Sequence, residues 1–301
     1  MRRQLKHLVE YGLVWSGAPR VALVSRRSRT LILAYHAIVP TGESPAGDAS
    51  LHLPQAKFAA QLDVLARTHD VVPLADALAP SPAGATRPRV AVTFDDAYQG
   101  AVTAGVLELV RRGMPATIFV PPGLLGGQRF WWDVLAPADG GALDPRLRHR
   151  ALTEWRGQAE TILKTLGKDS RSPAGPAYAR SATPDELDRV AAQPGIVLGS
   201  HTWSHPNLAA LDAATLEDEL RRPLAWLRAR YERVLPVLTY PYGLQSDAVQ
   251  RAAAAAGYEA ALCIDGGWVG EPRRLFALPR MDVPAAVSKA GFELRVSGVL
   301  S

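Results

Sequence analysis

A chain of 301 residues that is 48% hydrophobic and 21% charged can bury a full core, which excludes a disordered or fibrous protein. Its single cysteine, Cys263, rules out an internal disulfide and a cysteine-based zinc cluster, so packing must supply stability and a reducing compartment is favoured. A net charge of +5 could suggest nucleic acid, but the arginines along the chain are scattered, with no interleaved aromatics or recognisable binding motif, which argues against that partner.

The start Met1, Arg2, Arg3 has the basic character of an export signal, but His7, Glu10 and Arg20 interrupt any apolar run, so none is expected. Nor does any stretch approach the roughly 20 apolar residues of a membrane span. Leu5, Leu8, Val9 and Leu13 recur at helical spacing with Trp15 beyond them, predicting an amphipathic helix. It docks on the protein or lies on a membrane, and docking is the preferred reading. The densest basic run, Arg26, Arg27 and Arg29, reads as a solvated face, with an anionic membrane or a phosphate-bearing substrate as the alternative. Residues 1–29 are thus set apart as a helix and basic segment.

Residues 30–35 form a continuous apolar run that predicts a buried strand ending at His36. A Gly/Pro/Ser-rich surface loop follows at 40–50, then a helix over 54–68 carrying Phe58, Leu62 and Leu65 on one face. A second buried strand, 89–94, runs into Asp95 and Asp96, and a helix over 101–112 stops at Gly113. Beyond it come strands 116–120 and 195–200, the latter ending at His201. Helix 213–230, strand 236–240, helix 247–256 and strand 258–264 complete the series. This β/α alternation predicts a parallel sheet closed as a barrel. The rhythm fails around 127–185, where Phe130, Trp131, Trp132 and a helical stretch over 151–166 predict an insertion over the open face. Its aromatics are either the insertion's own core or a sugar platform. Cys263, within an apolar strand, is read as a buried small hydrophobe without a role.

The polar groups all sit after predicted strands: His36, the Asp95–Asp96 pair, His201 with His205, and the Tyr240, Pro241, Tyr242, Gly243 run. In parallel α/β folds the strand C-termini open on one face, so distant residues converge there. Two histidines four apart can reach one ion, and a carboxylate from the aspartate pair completes a His2Asp site with open positions. Adjacent aspartates repel unless a cation or proton intervenes, a conflict resolved by a metal ligand beside a catalytic base. The plainer readings are structural histidines and a helix N-cap.

Thr93, Phe94, Asp95 and Asp96, the His201 to His205 segment, and Tyr240 to Gly243 resemble the ordered motifs of polysaccharide deacetylases, the NodB-homology or carbohydrate esterase family four. The resemblance spans roughly residues 30–284 and implies a distorted (β/α)7-type barrel over 30–301 and hydrolysis of sugar N-acetyl groups. It further implies Asp95 as base, Asp96, His201 and His205 as ligands of a divalent metal such as Zn²⁺, and the Tyr242 N–H as an oxyanion donor. Two departures matter. No histidine follows His205, so the family's late acid is missing, whereas Leu33 to His36 resembles the N-terminal histidine motif of a permuted subgroup and makes His36 the candidate acid. The arginine that usually precedes Pro-Tyr-Gly is replaced by Thr239 and Tyr240, and Arg280 becomes the candidate to orient Asp95.

The expected partner is an N-acetylated glycan, glycolipid or polysaccharide precursor, with no nucleic acid and a monomeric chain. The expected location is the cytoplasm, with the N-terminal helix able to reach the inner face of the membrane. Other readings are a deacetylase-fold amidohydrolase on a non-sugar amide and a non-catalytic glycan-binding module. An Fe(II) oxygenase triad is disfavoured because such sites sit in double-stranded β folds.

Overall fold

Continuous apolar strands can be buried on both faces only where helices cover both sides of a parallel sheet. The computed structural model, which describes residues 2–137, 141–170 and 175–300, has this arrangement. β1 (Thr30–Tyr35), β5 (Arg89–Phe94) and β6 (Ala116–Val120) are buried at every position. β7 (Ile196–Ser200), β8 (Val234–Thr239) and β9 (Ala260–Leu262) continue the sheet, and the short β10 (Met281–Asp282) pairs back onto β1. The order is β10-β1-β5-β6-β7-β8-β9, parallel throughout, with β4 (Asp70–Val71) also on β5. The segment entering β10 closes the seam: the Cys263 N–H donates to Leu278 O at 2.8 Å and the Leu278 N–H to Ala261 O at 3.1 Å. β2 (Ala37–Val39) and β3 (His52–Pro54) form a separate two-stranded ladder beyond β1.

Helices wrap this sheet. α3 (Gln55–Thr68), with Phe58, Leu62 and Leu65 buried, follows β3, and α4 (Leu74–Leu78) precedes β5. α5 (Val106–Val110) starts where a π-helical turn over Ala101–Gly105 ends, so the helix predicted over 101–112 is not regular throughout. α9 (Pro184–Ala191), opened by a Thr183 to Glu186 capping box, leads into β7. α10 (Ala213–Arg230) and α11 (Asp247–Ala255) follow their predicted courses, and α12 (Lys289–Ser297) ends the described chain. No helix among the described residues is long and apolar enough to cross a membrane.

Three expectations need correction. The N-terminal segment is a helical hairpin, not one helix, because left-handed Gly17 and Pro19 separate α1 (Arg2–Trp15) from α2 (Ala18–Ser25); Met1 lies outside the described residues. The insertion holds α6 (Trp131–Leu135), α7 (Pro145–Thr153) and α8 (Ala159–Thr165), and the helix predicted over 151–166 is broken by left-handed Arg156 and Gly157. Its positions 138–140 and 171–174 are outside the described residues. The loop over 40–50 is not purely superficial: Asp48 is fully buried, and its N–H donates to Asp133 Oδ1 at 2.8 Å. Phe130, Trp131 and Trp132 are buried in the main core, and of the three Trp132 also lines the pocket described below.

Close packing makes Gly100 a sensitive position, since a Cβ there would lie 2.1 Å from the Ile38 carbonyl oxygen. Gly12, inside α1, has nothing within 4 Å. Gly100→Ala should destabilise the fold by about 1–3 kcal/mol, whereas Gly12→Ala should stabilise it by up to about 1 kcal/mol. Denaturant melts of the two variants check this, and equal midpoints would contradict the packing described.

Candidate active site

Four strands of the central sheet, β1, β5, β7 and β8, deliver polar residues just beyond their C-terminal ends. His36 follows β1, Asp95 and Asp96 follow β5, His201 follows β7, and Tyr240 to Gly243 follow β8. Arg280 immediately precedes β10. The structure brings all seven sequence-identified residues, His36, Asp95, Asp96, His201, His205, Tyr242 and Arg280, to the wall of one pocket.

At its floor, His201 Nε2 and His205 Nε2 are 3.0 Å apart, and Asp96 Oδ1 lies 3.5 Å and 3.3 Å from them. Asp96 Oδ1 is buried and accepts no hydrogen bond. A tetrahedral ion with ligand bonds of about 2.0–2.1 Å separates its ligands by about 3.3–3.4 Å, so this triangle, with edges of 3.0, 3.3 and 3.5 Å, is close to the size such an ion requires. The donor set is also chemically ready. His201 Nδ1 meets the Thr239 carbonyl oxygen at 2.9 Å, which fixes its proton on Nδ1 and leaves the Nε2 lone pair facing inward. Burial pushes His201 down to about 4 and His205 well below the ordinary histidine range, so both are neutral as coordination demands. Burial, then Asp95 and Asp133, pushes Asp96 well above the usual carboxylate range, the signature of an acid lacking its counter-cation. Asp96, His201 and His205 therefore fit a divalent ion.

Asp95 shows the opposite behaviour. Burial alone would raise its pKa, but the Arg280 guanidinium, and then His201, more than offset this and hold it below the ordinary range. Arg280 donates to both carboxylate oxygens, at 2.7 and 2.6 Å, and also to Thr93 Oγ1 and Cys263 O. This fork-on-fork pair is buried at both ends, with Arg280 1% exposed. His36 lines the same pocket, at the end of the strand next to that of Asp95, its Nδ1 3.9 Å from Asp282 Oδ1.

Several supporting residues escape sequence reasoning. Glu219, from α10, accepts the Trp203 and Ser204 N–H groups at 2.9 Å each and the Ser204 hydroxyl at 2.5 Å, clamping the loop that carries His205. Trp132 packs on His205 with ring centroids 5.1 Å apart, and its indole N–H donates to Tyr98, whose hydroxyl donates to buried Asp133 at 2.6 Å. The Tyr242 ring lies edge-on to His205 at 4.6 Å and its hydroxyl accepts from Trp131. Arg148, paired with buried Asp48, adds a guanidinium to the pocket wall. The one sequence signal that could have found Asp133 is its place as an acid directly after the aromatic run Phe130, Trp131, Trp132.

Six non-glycine residues among those described have left-handed backbone, and five of them are here: Asp96, Ala97, Thr202, His205 and Tyr242. Such conformations cost about 1–3 kcal/mol each and persist only where surrounding structure enforces them. They turn the chain sharply after each strand, so that side chains point into the pocket.

A sequence profile described as polysaccharide deacetylase matches residues 83–261. No curated protein matches the chain in sequence. Among solved structures, the deacetylase PplD of Streptococcus pyogenes, in complex with acetate, superposes with a TM-score of 0.62 at 18% identity, covering 89% of this chain and 97% of its own. IcaB from Ammonifex degensii gives 0.59 at 16% identity over 91% and 98%. A polysaccharide deacetylase from Bacillus cereus gives 0.63 at 16% identity over 89% and 69%. At these identities the structural likeness is one of fold.

Removing the guanidinium would strand Asp95 as a buried, unpaired charge. Arg280→Met should therefore lose about 3–5 kcal/mol of stability at neutral pH, and Arg280→Met combined with Asp95→Asn should recover part of it. Urea titrations of the single and double variants measure this; a loss below about 1 kcal/mol in the single variant would contradict the buried pairing.

Proposed function

The chain belongs to the polysaccharide deacetylase family, and from that premise we propose that it is a metal-dependent hydrolase removing N-acetyl groups from an N-acetylated sugar in a glycan, glycolipid or polysaccharide precursor. The observation carrying this reading is the triangle of Asp96, His201 and His205 beside an ionised, arginine-held carboxylate in one open pocket. On this reading residues 30–301 are the catalytic domain, with 1–29 attached to its side.

Asp96, His201 and His205 would hold the ion, Zn²⁺ being the natural choice for two imidazoles and a carboxylate. When bound, such an ion supplies Lewis acidity towards the acetamide carbonyl and lowers the pKa of water towards about 7. Asp95 is the base. Arg280 keeps it ionised and fixes both its oxygens, so it is always in the state that accepts the attacking water's proton. The new C–O bond turns the carbonyl oxygen into an oxyanion, and the backbone N–H of Tyr242, in its left-handed turn at the pocket wall, is the proposed donor to it. An amide nitrogen cannot leave as an anion, so the C–N bond breaks only as the nitrogen takes a proton. His36, in the same pocket and near Asp282, is the proposed source, as in the permuted subgroup whose motif it resembles. Acetate and a free amino sugar result. Supply of the acid by β1 in place of a late histidine, and of the orienting arginine by the β10 segment, leaves Thr239 to brace His201.

Acetate release from N-acetylhexosamine oligomers, with and without chelator, tests the reaction: release abolished by chelator and restored by added Zn²⁺ is expected, and no release from any N-acetylated sugar would overturn it. Asp95→Asn should keep its metal yet slow turnover by roughly 10²–10⁴-fold, while His205→Ala should lose bound metal on elemental analysis. Near-normal turnover in the first variant, or full metal content in the second, would misassign those residues. His36→Ala should slow turnover and retain metal; if metal is lost with it, His36 is a ligand or a structural residue and not the acid.

A further inference from the structure

The N-terminal hairpin carries a surface that the proposed reaction does not use. Among the described residues, twelve large hydrophobic side chains are exposed, and seven of them fall within this short segment: Leu5, Leu8, Val9, Tyr11, Trp15, Val21 and Val24. Trp15 is 87% exposed and Val21 73%. At about 100° per residue, Leu5, Leu8, Val9 and Trp15 fall within an arc of about 120°, a continuous apolar stripe along α1.

The opposite side of α1 is fastened to the barrel. Glu10 is buried and accepts the Ser288 hydroxyl at 2.6 Å at the start of α12, on the helix face turned away from the stripe. Arg26, after α2, donates to Gly298 O at 3.1 Å just beyond the end of α12. The hairpin is therefore held with its apolar stripe outwards, and docking on the protein accounts for only half of its amphipathic character.

Charge says what covers the stripe. Residues 1–29 contain seven basic side chains, Arg2, Arg3, Lys6, Arg20, Arg26, Arg27 and Arg29, and one acid, Glu10, which is internally paired. The remaining 272 residues hold 27 basic and 28 acidic side chains, so the whole net charge of the protein resides in the hairpin and its exit. A second copy would bring the same positive segment against itself. An apolar face with an exposed tryptophan and surrounding cations is instead complementary to an anionic bilayer surface, where apolar insertion and headgroup attraction act together.

We propose that the α1–α2 hairpin is a peripheral membrane anchor that seats its apolar stripe in the interface of a bilayer containing anionic lipid. The proposal is independent of the chemistry in the pocket and would place the enzyme beside membrane-borne substrates.

Cosedimentation of the full chain with vesicles tests it. Phosphatidylcholine vesicles containing about 30% phosphatidylglycerol should retain the protein at about 0.1 M salt and release much of it at about 0.5 M, while pure phosphatidylcholine should bind at least about tenfold more weakly. Leu8→Ser with Trp15→Ser, and separately Arg20→Gln with Arg27→Gln, should each weaken binding about tenfold or more. All four side chains are exposed, so thermal melts should be unchanged. The proposal is overturned by absent binding to anionic vesicles, by equal binding to neutral ones, or by binding that the Leu8/Trp15 variant leaves intact. Self-association in sedimentation velocity that this variant abolishes would give the stripe to a second copy and overturn it equally.

Discussion

Two carboxylates buried side by side at the end of one strand cannot both remain charged without cations to face them. Asp95 and Asp96 are 3% and 2% exposed, and among the described residues a guanidinium pairs with only the first. Arg280 takes Asp95 in a two-pronged grip, while Asp96 Oδ1 is left buried without a hydrogen bond. The two acids are thereby driven in opposite directions, Asp95 below the carboxylate range and Asp96 well above it. The arrangement separates an arginine-held carboxylate from a buried acid without such a partner, and the histidines beside Asp96 would supply the other donors to an ion shared with it.

Holding that asymmetry requires a stiff frame. The sheet fixes the strand ends, but the functional side chains lie in the turns beyond them, where five residues adopt left-handed backbone. Each turn is braced from outside: Glu219 ties down the loop before His205, Thr239 holds the ring of His201, and the Trp132, Tyr98 and Asp133 chain supports the wall against His205. Destabilising conformations at the site are offset by hydrogen bonds from α10, β8 and the insertion.

The parts legible in the sequence are those whose signal is local. Predominantly apolar runs over Thr30–Tyr35, Arg89–Phe94 and Ala116–Val120 announced strands, and the polar residues closing the first two announced pocket positions. The spacing of His201 and His205 likewise survives into the geometry, because the loop between them turns both rings inward. Long-range partners were less legible. Only the family resemblance singled out Arg280 for Asp95, and it took the fold to set its guanidinium on that carboxylate, 185 residues away. Asp48 lies in a Gly/Pro-rich stretch that reads as surface, yet it is buried through its contacts with Asp133 and Arg148, both contributed by the insertion. The helix broken at Arg156 and Gly157, and the hairpin made at Gly17, depend on turns that periodicity alone does not reveal.

Metal dependence turns on three buried atoms sharing one ion. Anomalous diffraction from crystals grown with Zn²⁺ examines that directly, because it locates the ion without reference to activity. A peak within about 2.0–2.2 Å of Asp96 Oδ1, His201 Nε2 and His205 Nε2 together is the predicted result. A fully soaked crystal with no peak there, or with zinc held by other side chains in the pocket, would contradict it.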